Sequence, residues 1–482
     1  MPYTIGGRTV MPGISEIMER AVAAAAAFRE LDQKRTDEVV RAVYLAAFDK
    51  RVAFAKLAHE ETGMGVWQHK VIKNVVATHL VYDDIKDLRT VGVLGVDRRS
   101  GIAEVAQPLG PILGLVPVTN PTSTAIFKTL ICLKTRNPLV LCPPFAARRS
   151  VAAVVELCVE AALAAGAPWD CIQCIEKPAP QLVEEIMGDH RLALILATGT
   201  HSVVRKAHAS GTPTIGVGTG NVPVYVGITA DIPFAVRNII ESKTFDNGTV
   251  CASEQAVVVR RQVAGELVAE LERQGAYVLS REQVVRVASI AYDRERETMS
   301  PNVVGQPVDR IANAAGITVP DGTVLLIARQ DGVGKEFPLS AEILAPILAL
   351  YEENGFEEAI ARCSEIARFG GVGHSAVIYS NVDERIEYFA SRVDVSRILV
   401  NMPSTLGALG GIYNTLSPSF TLGCGSGGRN ITTDNITARH LLNIHRIARR
   451  RPNPRWYAFD TRHYLDESLP AAEIEQKYNR NC

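Results

Sequence analysis

The stretch that decides the fold runs from Pro111 to Pro143 and reads PILGLVPVTNPTSTAIFKTLICLKTRNPLVLCP. It contains a short apolar run, then a helical pattern from about residue 122 to 136, and then a second short apolar run. Short apolar runs that alternate with helical patterns are typical of strand–helix–strand units, whose strands lie parallel with helices on both faces. The stretch therefore predicts an α/β fold built on a parallel sheet.

The same alternation divides the rest of the chain into domains. It continues to about residue 230, so we predict a first α/β domain over 1–230, and it recurs with a different texture over 231–416, which predicts a second one. The segment 417–482 is predicted to return to the first domain and to form an arm and a tail. Residues 91–110 read as a hairpin with a polar turn at Asp97–Gly101, and we assign this hairpin to the arm.

Composition limits the class of protein. The 482 residues exceed the length at which a single core usually splits into domains. Lys and Arg total 51 against 52 Asp and Glu, so no net charge favours nucleic acid or an anionic membrane. The nine cysteines are odd in number and show no repeated paired spacing, and no signal peptide is evident at the N-terminus, which together predict a cytoplasmic protein without disulfides.

One cysteine lies in a context that favours reactivity. Cys251 occurs in SKTFDNGTVCASEQAVVV (residues 242–259), after a glycine-containing turn and before a valine-rich strand. A buried cysteine is most often only a small hydrophobic residue. At the junction of a turn and a strand, however, a thiol can face a cleft and approach backbone N–H donors. The context is suggestive but not sufficient alone.

Asn120 also follows a predicted strand and precedes a helix, in VPVTNPTSTAIFK (residues 116–128). Its side chain could simply cap that helix, or its amide could donate to an oxyanion in a cleft. A metal site is not predicted, because Cys171 and Cys174 form a single C-x-x-C pair and the ten histidines show no metal-binding spacing.

Three stretches together resemble one known family. NPTSTAIFKTLICLKTRN (120–137), SKTFDNGTVCASEQAVVV (242–259) and TLGCGSGGRN (421–430) resemble the acylating, CoA-dependent aldehyde dehydrogenases. The likeness is strongest to the aldehyde dehydrogenase half of the bifunctional aldehyde–alcohol dehydrogenases and extends to about Phe459. It implies a Rossmann-like cofactor domain, an α/β catalytic domain and a small β oligomerisation arm, in a homodimer or homotetramer.

The resemblance also implies roles for individual residues. Cys251 matches the family's nucleophile, Asn120 its oxyanion-hole asparagine, and Glu342 the glutamate that contacts the nicotinamide ribose. Further positions match residues that line the cofactor site: Thr119, Gly199, Thr200, Gly218 and Leu422.

By this resemblance, the Cys251 thiolate attacks an aldehyde, hydride passes to NAD or NADP, and the thiolate of CoA takes the acyl group from the enzyme thioester. Hydrolytic relatives use a glutamate to activate water, and Val217 stands where that glutamate would lie. An enzyme that makes a free acid is therefore the disfavoured alternative. A structural or microcompartment-associated oligomer is the alternative from another class, and the presence of Cys251, Asn120 and Glu342 argues against it.

Two stretches depart from the family pattern. CPPFAARR (Cys142–Arg149) has no acidic residue for a ribose 2′-hydroxyl, so the choice between NAD and NADP stays open, and Arg148 or Arg149 favours a 2′-phosphate. In GSGGRN (Gly425–Asn430), Arg429 replaces a residue that is uncharged in the relatives. It is either a surface exchange or a ligand for an anionic group. That group is a CoA phosphate or the charged end of a substrate such as sulfoacetaldehyde or succinate semialdehyde.

Overall fold

The computed structural model describes residues 3–5, 8–10 and 13–480. The chain divides into two compact units, a larger one with the residues up to Leu88 and Pro108–Leu441, and a smaller one with Arg89–Gln107 and the residues from Leu442 onward. At the start of the chain, the strands Tyr3–Ile5 and Arg8–Val10 pair antiparallel. Within the described residues, no helix is long and apolar enough to cross a membrane.

The first sheet of the larger unit has five parallel strands, each apolar and largely buried. Along the chain they are Ile112–Leu115, Leu139–Cys142, Ile172–Cys174, Leu194–Thr198 and Thr214–Val217. Numbered in that sequence, they lie side by side in the order 3-2-1-4-5. This is the strand order of a Rossmann-like sheet, which binds its ligand at the carboxyl ends of the strands where the order reverses. The reversal lies between the first and fourth strands.

Helices of the N-terminal region and the crossover connections accompany this sheet, and two clusters of buried apolar side chains form where they pack against it. The helices are Ile14–Arg29, Gln33–Asp49, Arg51–Thr62, Trp67–Val75, Val81–Ile85, Pro121–Lys134, Arg148–Ala164, Pro180–Met187 and His201–Ala209. A π-helical turn, Val76–Leu80, joins two of them, and a 3₁₀ turn, Phe145–Ala147, follows the second strand.

The second sheet of the larger unit has seven parallel strands. Along the chain they are Val222–Val226, Glu254–Arg260, Ala276–Val278, Leu325–Arg329, Ile347–Glu353, Gly373–Tyr379 and Val395–Val400. They lie in the order 3-4-5-2-1-6-7. The α/β class with parallel sheets is thus confirmed. The first of these strands precedes residue 231, where the sequence predicts that the second domain begins.

The helices that accompany the second sheet are Ile232–Thr244, Arg261–Arg273, Arg281–Ala291, Val308–Ala315, Phe356–Gly370, Asp383–Arg392 and Ser404–Leu409. A short antiparallel pair joins Tyr292–Asp293 to Thr298–Met299. Single 3₁₀ turns occur at Phe245–Gly248, Pro338–Ser340, Ser426–Gly428 and Ala438–Leu441.

The smaller unit contains a three-stranded sheet whose central strand, Ile102–Pro108, has Gly92–Asp97 on one side and Leu442–Ala448 on the other. The pairing of Gly92–Asp97 with Ile102–Pro108 is antiparallel, which confirms the predicted hairpin. The chain then forms the helical segments Pro454–Ala458, Thr461–Leu465 and Ala471–Arg480.

Candidate active site

Cys251 lies just before the central strand of the seven-stranded sheet, at the end of a strained loop. Within the 3₁₀ turn Phe245–Gly248, Asp246 and Asn247 have φ angles of 52° and 53°. Left-handed backbone angles are uncommon outside glycine, and Asp and Asn adopt them more readily than most residues; two in succession are held by surrounding contacts. The Cys251 residue itself is half-buried. The loop thus presents a thiol that is shielded from bulk water but still reachable.

The glycine-rich turn after the five-stranded sheet packs directly against this cysteine. A Cβ atom on Gly220 would lie 2.2 Å from the Cys251 carbonyl oxygen, so any side chain there would displace the loop. The stretch GVGTGN, which fits no phosphate-binding motif, therefore has a packing role beside Cys251.

The thiol of Cys251 has a histidine partner that the sequence did not reveal. His374 Nε2 lies 3.3 Å from Cys251 Sγ, and His374 Nδ1 lies 3.2 Å from Ser375 Oγ. Arg397 Nε also donates to this Ser375 oxygen, which keeps a second lone pair, and we assign the ring proton of His374 to Nδ1 so that Ser375 Oγ accepts it. With the ring proton on Nδ1, Nε2 is free to accept the proton of the thiol.

Both members of this pair are uncharged at neutral pH. Burial, with the negative charge of Glu342, raises the pKa of Cys251 to about 12. Burial, with the positive charge of Arg397, lowers the pKa of His374 to about 3. The resting state is therefore a thiol beside a neutral imidazole, and proton transfer must accompany attack on an electrophile.

Asn120 follows the first strand of the five-stranded sheet and immediately precedes the helix Pro121–Lys134. Through Lys73 it is linked to Asp246, in the loop before Cys251. Its side chain makes no helix-capping hydrogen bond. Instead, Oδ1 accepts from Lys73 Nζ at 2.5 Å, and Nδ2 donates to Thr119 Oγ1 at 3.1 Å. The capping interpretation of Asn120 is thus wrong, and one N–H of its amide has no acceptor among the described residues.

Glu342 places its carboxyl group near the thiol, where a hydrogen bond to the backbone fixes its position. Its Oε1 accepts from the backbone N–H of Gly220 at 2.8 Å, and the residue is buried. Burial raises the pKa of Glu342 to about 8, so this carboxyl is mostly protonated at pH 7. Val217, where hydrolytic relatives have a glutamate, is the buried last residue of its strand and packs in the apolar core.

The predicted cofactor-lining residues lie largely at the carboxyl edge of the five-stranded sheet. Thr119 follows its first strand, and Gly199 and Thr200 follow its fourth, on either side of the reversal in strand order. Thr200 precedes the helix His201–Ala209 without a side-chain cap, which leaves backbone N–H groups there for an anion. A Cβ on Gly218 would meet open space, whereas Leu422 is buried in the same apolar cluster as Val217.

Arg429 occupies an exposed loop that packs against the strand of His374. Its φ is 59°, and the neighbouring Cys424 carbonyl lies against Gly373, where a Cβ atom would be 1.8 Å away. The positive charge of Arg429 acts with burial to lower the pKa of His208. Among the described residues, the guanidinium has no hydrogen bond or ion pair. The structure thus leaves Arg429 available to an anion but does not place it against Cys251.

Sequence reasoning also missed a buried charged group beside Asn120, formed by Lys70, Lys73 and Asp246. At the predicted ribose site it missed Glu61, whose carboxylate accepts from the backbone N–H groups of Arg149 and Ser150, both at 2.7 Å. No group of three or more metal-binding side chains occurs within the described part of the chain.

A half-buried thiol with an imidazole partner, in a chain that also contains a Rossmann-like sheet, is typical of dehydrogenases that use a covalent intermediate. The family model for the aldehyde dehydrogenase family matches residues 12–302. The chain belongs to the aldehyde dehydrogenase family.

Individual relatives agree with this membership. The crystal structure of an acetylating aldehyde dehydrogenase from Geobacillus thermoglucosidasius superimposes with a TM-score of 0.88 and 42% identity, over 91% of this chain and 97% of that one. The bifunctional aldehyde-alcohol dehydrogenase of Escherichia coli is 40% identical over 95% of this chain and 52% of its own length. The acetylating succinate-semialdehyde dehydrogenase of Clostridium kluyveri is 33% identical over 90% and 95%, respectively. The chain spans about half the length of the first curated relatives it matches.

Proposed function

We propose that the protein converts an aldehyde, CoA and NAD(P)⁺ into an acyl-CoA, NAD(P)H and a proton. The observation that carries this proposal is the 3.3 Å contact between Cys251 Sγ and His374 Nε2. It supplies a nucleophile with its proton acceptor in a half-buried position. The family relationship supports the reaction class, because the relatives compared above are named as acetylating or bifunctional aldehyde dehydrogenases.

The chain's residues divide the reaction into two stages. In the first, Cys251 Sγ forms a bond to the aldehyde carbon while its proton moves to His374 Nε2, and the carbonyl electron pair moves to oxygen. The resulting oxyanion accepts a hydrogen bond from the free amide N–H of Asn120. A nicotinamide held at the edge of the five-stranded sheet would supply the hydride acceptor, and loss of hydride from this carbon would leave a thioester on Cys251. In the second stage, His374 has passed its proton to solvent, and the thiol of CoA also loses its proton to solvent as its sulfur attacks the thioester. The bond from carbon to Cys251 Sγ breaks, and the departing thiolate takes up one proton, which restores the resting thiol and leaves one proton released overall.

The protonation states favour CoA over water in the second stage. Water needs a strong base to become a competent nucleophile, and Glu342 is mostly protonated at neutral pH because of its burial. Val217 offers no base at the other expected position. A thiol ionises far more readily than water and attacks a thioester without such help. Hydrolysis to a free acid is therefore the slower outcome.

We propose that the nicotinamide cofactor lies along the carboxyl edge of the five-stranded sheet. Uncapped backbone N–H groups at the start of His201–Ala209 suit its diphosphate. Near the adenosine ribose, Arg148 packs its guanidinium 4.0 Å from the ring centre of Phe145 and has no carboxylate partner among the described residues. The unpaired Arg148 would suit the 2′-phosphate of NADP, whereas the carboxylate of Glu61, which accepts from Arg149 and Ser150, would suit the free 2′-hydroxyl of NAD, so the assay below compares the two cofactors.

The test is cofactor reduction by the purified protein with short aldehydes, each assayed with and without CoA and with NAD and NADP separately. Acetaldehyde and propionaldehyde are expected to give sustained reduction only when CoA is present. Without CoA, reduction should stop after about one equivalent per site, when Cys251 is acylated. Sustained reduction without CoA would contradict the proposal, since it would mean that water cleaves the thioester.

A second candidate substrate class is an aldehyde with a carboxylate or sulfonate group, and the unpaired Arg429 favours it. Its loop packs on the strand that carries His374, as the contact of Gly373 with Cys424 shows. A guanidinium binds such anions through paired, charge-assisted hydrogen bonds. CoA phosphate is the other anion that this side chain would suit.

Replacing Arg429 with alanine distinguishes these ligands. If it binds the substrate anion, KM for succinate semialdehyde should rise about tenfold or more, the loss of one charge-assisted contact, while KM for acetaldehyde changes little. If it binds CoA, KM for CoA rises with either aldehyde. Arg286→Ala, at another exposed arginine, is the control. Unchanged KM values for both aldehydes and for CoA would show that Arg429 is a surface residue that binds none of these ligands.

We propose that the protein is a cytoplasmic homodimer or homotetramer and that the smaller unit supplies its contacts. The strands of this unit expose Val93, Val96 and Ile447 to solvent. We infer that these apolar side chains of the three-stranded sheet are covered by a second copy of the chain. Light scattering of the purified protein tests the proposal, and a monomer at micromolar concentration would contradict it.

A further inference from the structure

A buried charged cluster lies beside Asn120 and has no part in the chemistry proposed above. It consists of Lys70 and Lys73, on the helix Trp67–Val75, and Asp246, in the loop before Cys251. We call it the lysine cluster. The side chains of Lys70, Lys73 and Asp246 are 3%, 1% and 0% exposed. Two ammonium groups and one carboxylate thus lie out of water, which leaves one excess positive charge in the interior. A buried charge without a partner is costly.

Every hydrogen of the Lys73 ammonium has an acceptor. Nζ donates to Asn120 Oδ1 at 2.5 Å, to Thr249 Oγ1 at 2.9 Å and to the carboxylate of Asp246. An ammonium group has three hydrogens and no lone pair. Its position and orientation are therefore fixed by three residues, one of which is Asn120.

This contact fixes which way the Asn120 amide points. Because Lys73 can only donate, the atom that faces it must be the amide oxygen, and Nδ2 must point to the other side. One hydrogen of Nδ2 is donated to Thr119 Oγ1. The other is left for the developing oxyanion. The ammonium also draws electron density from the amide oxygen, which strengthens Nδ2 as a donor.

Asp246 connects this arrangement to the nucleophile loop. Its Oδ1 accepts from the backbone N–H of Val66 at 2.6 Å, and its Oδ2 accepts from Lys70 at 3.0 Å and Thr249 at 2.7 Å, besides Lys73. A Cβ on Gly65 would lie 2.0 Å from Oδ1, so the helix start fits closely over the carboxylate. These contacts hold the left-handed backbone at Asp246, five residues before Cys251.

The groups that face Lys73 determine when it is charged. Burial and the charge of Lys70 lower its pKa, Asp246 and Cys251 act to raise it, and the resulting pKa is about 8. His69, on the same helix, has a lowered pKa chiefly because of burial and is neutral at pH 7. Lys73 is thus an ammonium below about pH 8 and a neutral amine above it. A neutral amine can accept from Asn120 Nδ2, which removes the constraint on the amide.

We propose that Lys73 is a positioning residue that acts through Asn120: its ammonium turns the amide N–H toward the oxyanion and supplies the excess positive charge that the oxyanion neutralises. The proposal rests on the function proposed above. It predicts that most of the effect of Lys73 on the rate passes through Asn120, the oxyanion donor that its ammonium contacts.

A double-mutant cycle tests this. Lys73→Met should lower kcat/KM by about 10²–10³-fold, the effect of losing an oxyanion-hole donor, and Asn120→Ala by a similar factor. The variant with both changes should be no more than a few-fold slower than Asn120→Ala alone. Lys134→Met is the matched control, because Lys134 is equally buried and pairs with Asp37. It should lower the unfolding temperature but leave kcat/KM within about twofold.

A pH profile separates positioning from a structural role. In the unaltered protein, kcat/KM should fall as pH rises through about 8, where the ammonium is lost. Because burial raises the pKa of Glu342 to about 8 as well, the two proteins, with Lys73 and with Lys73→Arg, are compared in a Glu342→Gln background. In Lys73→Arg, which keeps its charge at high pH, the fall should then disappear. Cofactor binding, followed by quenching of protein fluorescence, should be the same in all variants. If Lys73→Met does not fold, the comparison of the pH profiles of Lys73→Arg and the unaltered protein still tests whether Lys73 positions Asn120.

Two results would overturn the proposal: an activity loss in the double variant equal to the product of the single losses, or a profile that keeps its fall near pH 8 in Lys73→Arg. Either result leaves the unaltered protein active with aldehyde and CoA. If the proposed function itself is wrong, the unaltered protein shows no CoA-dependent reduction, so the two failures are distinct.

Discussion

Replacing Cys251 with alanine should lower CoA-dependent cofactor reduction by about 10⁴-fold or more, because the thioester cannot form without this thiol. The single equivalent of reduction seen without CoA should vanish as well. Cofactor binding should change by less than about twofold, since the proposed cofactor site lies at the edge of the five-stranded sheet and does not include the thiol. Stopped-flow absorbance and fluorescence titration measure these quantities.

Cys174→Ala is the matched control for this experiment. Burial raises the pKa of Cys174 to about 12, as it does for Cys251, and both residues are half-buried. The difference between the two thiols is the partner, since Cys251 has His374 within 3.3 Å. The control should retain full activity. If Cys251→Ala retained more than about a tenth of the activity, another group would have to be the nucleophile.

The pattern of the sequence predicted the elements better than their arrangement. Alternating apolar runs and helices predicted parallel α/β layers, and a polar turn predicted the hairpin, because both signals are local. The start of the seven-stranded sheet was not predicted. Val222–Val226 and Thr214–Val217 are buried strands separated by a few residues, yet they join different sheets. Which sheet a strand joins depends on distant partners, which periodicity does not report.

The same limit explains which site residues were found. Cys251 and Asn120 could be selected from local sequence, because Cys251 follows a glycine-containing turn and Asn120 follows a predicted strand. His374 begins an apolar strand and reads as a core residue, and its partner Cys251 is 123 positions away. Lys73 reads as part of a solvated helix face, and only the tertiary fold buries it. Polar residues that act because they meet across the fold leave no periodic signal.

Two buried groups of positive charge act on the thiol of Cys251 and support the same chemistry. The lysine cluster carries one excess positive charge, and Lys73 interacts with the charge of Cys251. Arg397 is buried, also interacts with the charge of Cys251, and donates to uncharged groups such as the backbone oxygens of His374 and Gly423, with no ion pair among the described residues. Uncompensated buried cations are unfavourable in the resting state. They become favourable when a thiolate or an oxyanion forms near them.

Replacing His374 with asparagine should lower kcat/KM at pH 7 by about 10²–10⁴-fold, the usual contribution of a general base. Asparagine can still hydrogen-bond to Cys251 but cannot take its proton. Attack would then depend on the small fraction of Cys251 that is already ionised. That fraction is small because burial holds the pKa of Cys251 at about 12.

The pH dependence makes this prediction specific. Between about pH 5.5 and 7.5 the Cys251–His374 pair of the unaltered protein stays in one protonation state, because His374 is neutral above about 3 and Cys251 is a thiol below about 12. Its kcat/KM should be level across that range. In His374→Asn, kcat/KM should rise about tenfold for each pH unit, as the thiolate fraction does. In His374→Ala, added imidazole should restore part of the rate by filling the vacated space. A level profile in the asparagine variant, or no response to imidazole, would show that the proton leaves Cys251 by another route.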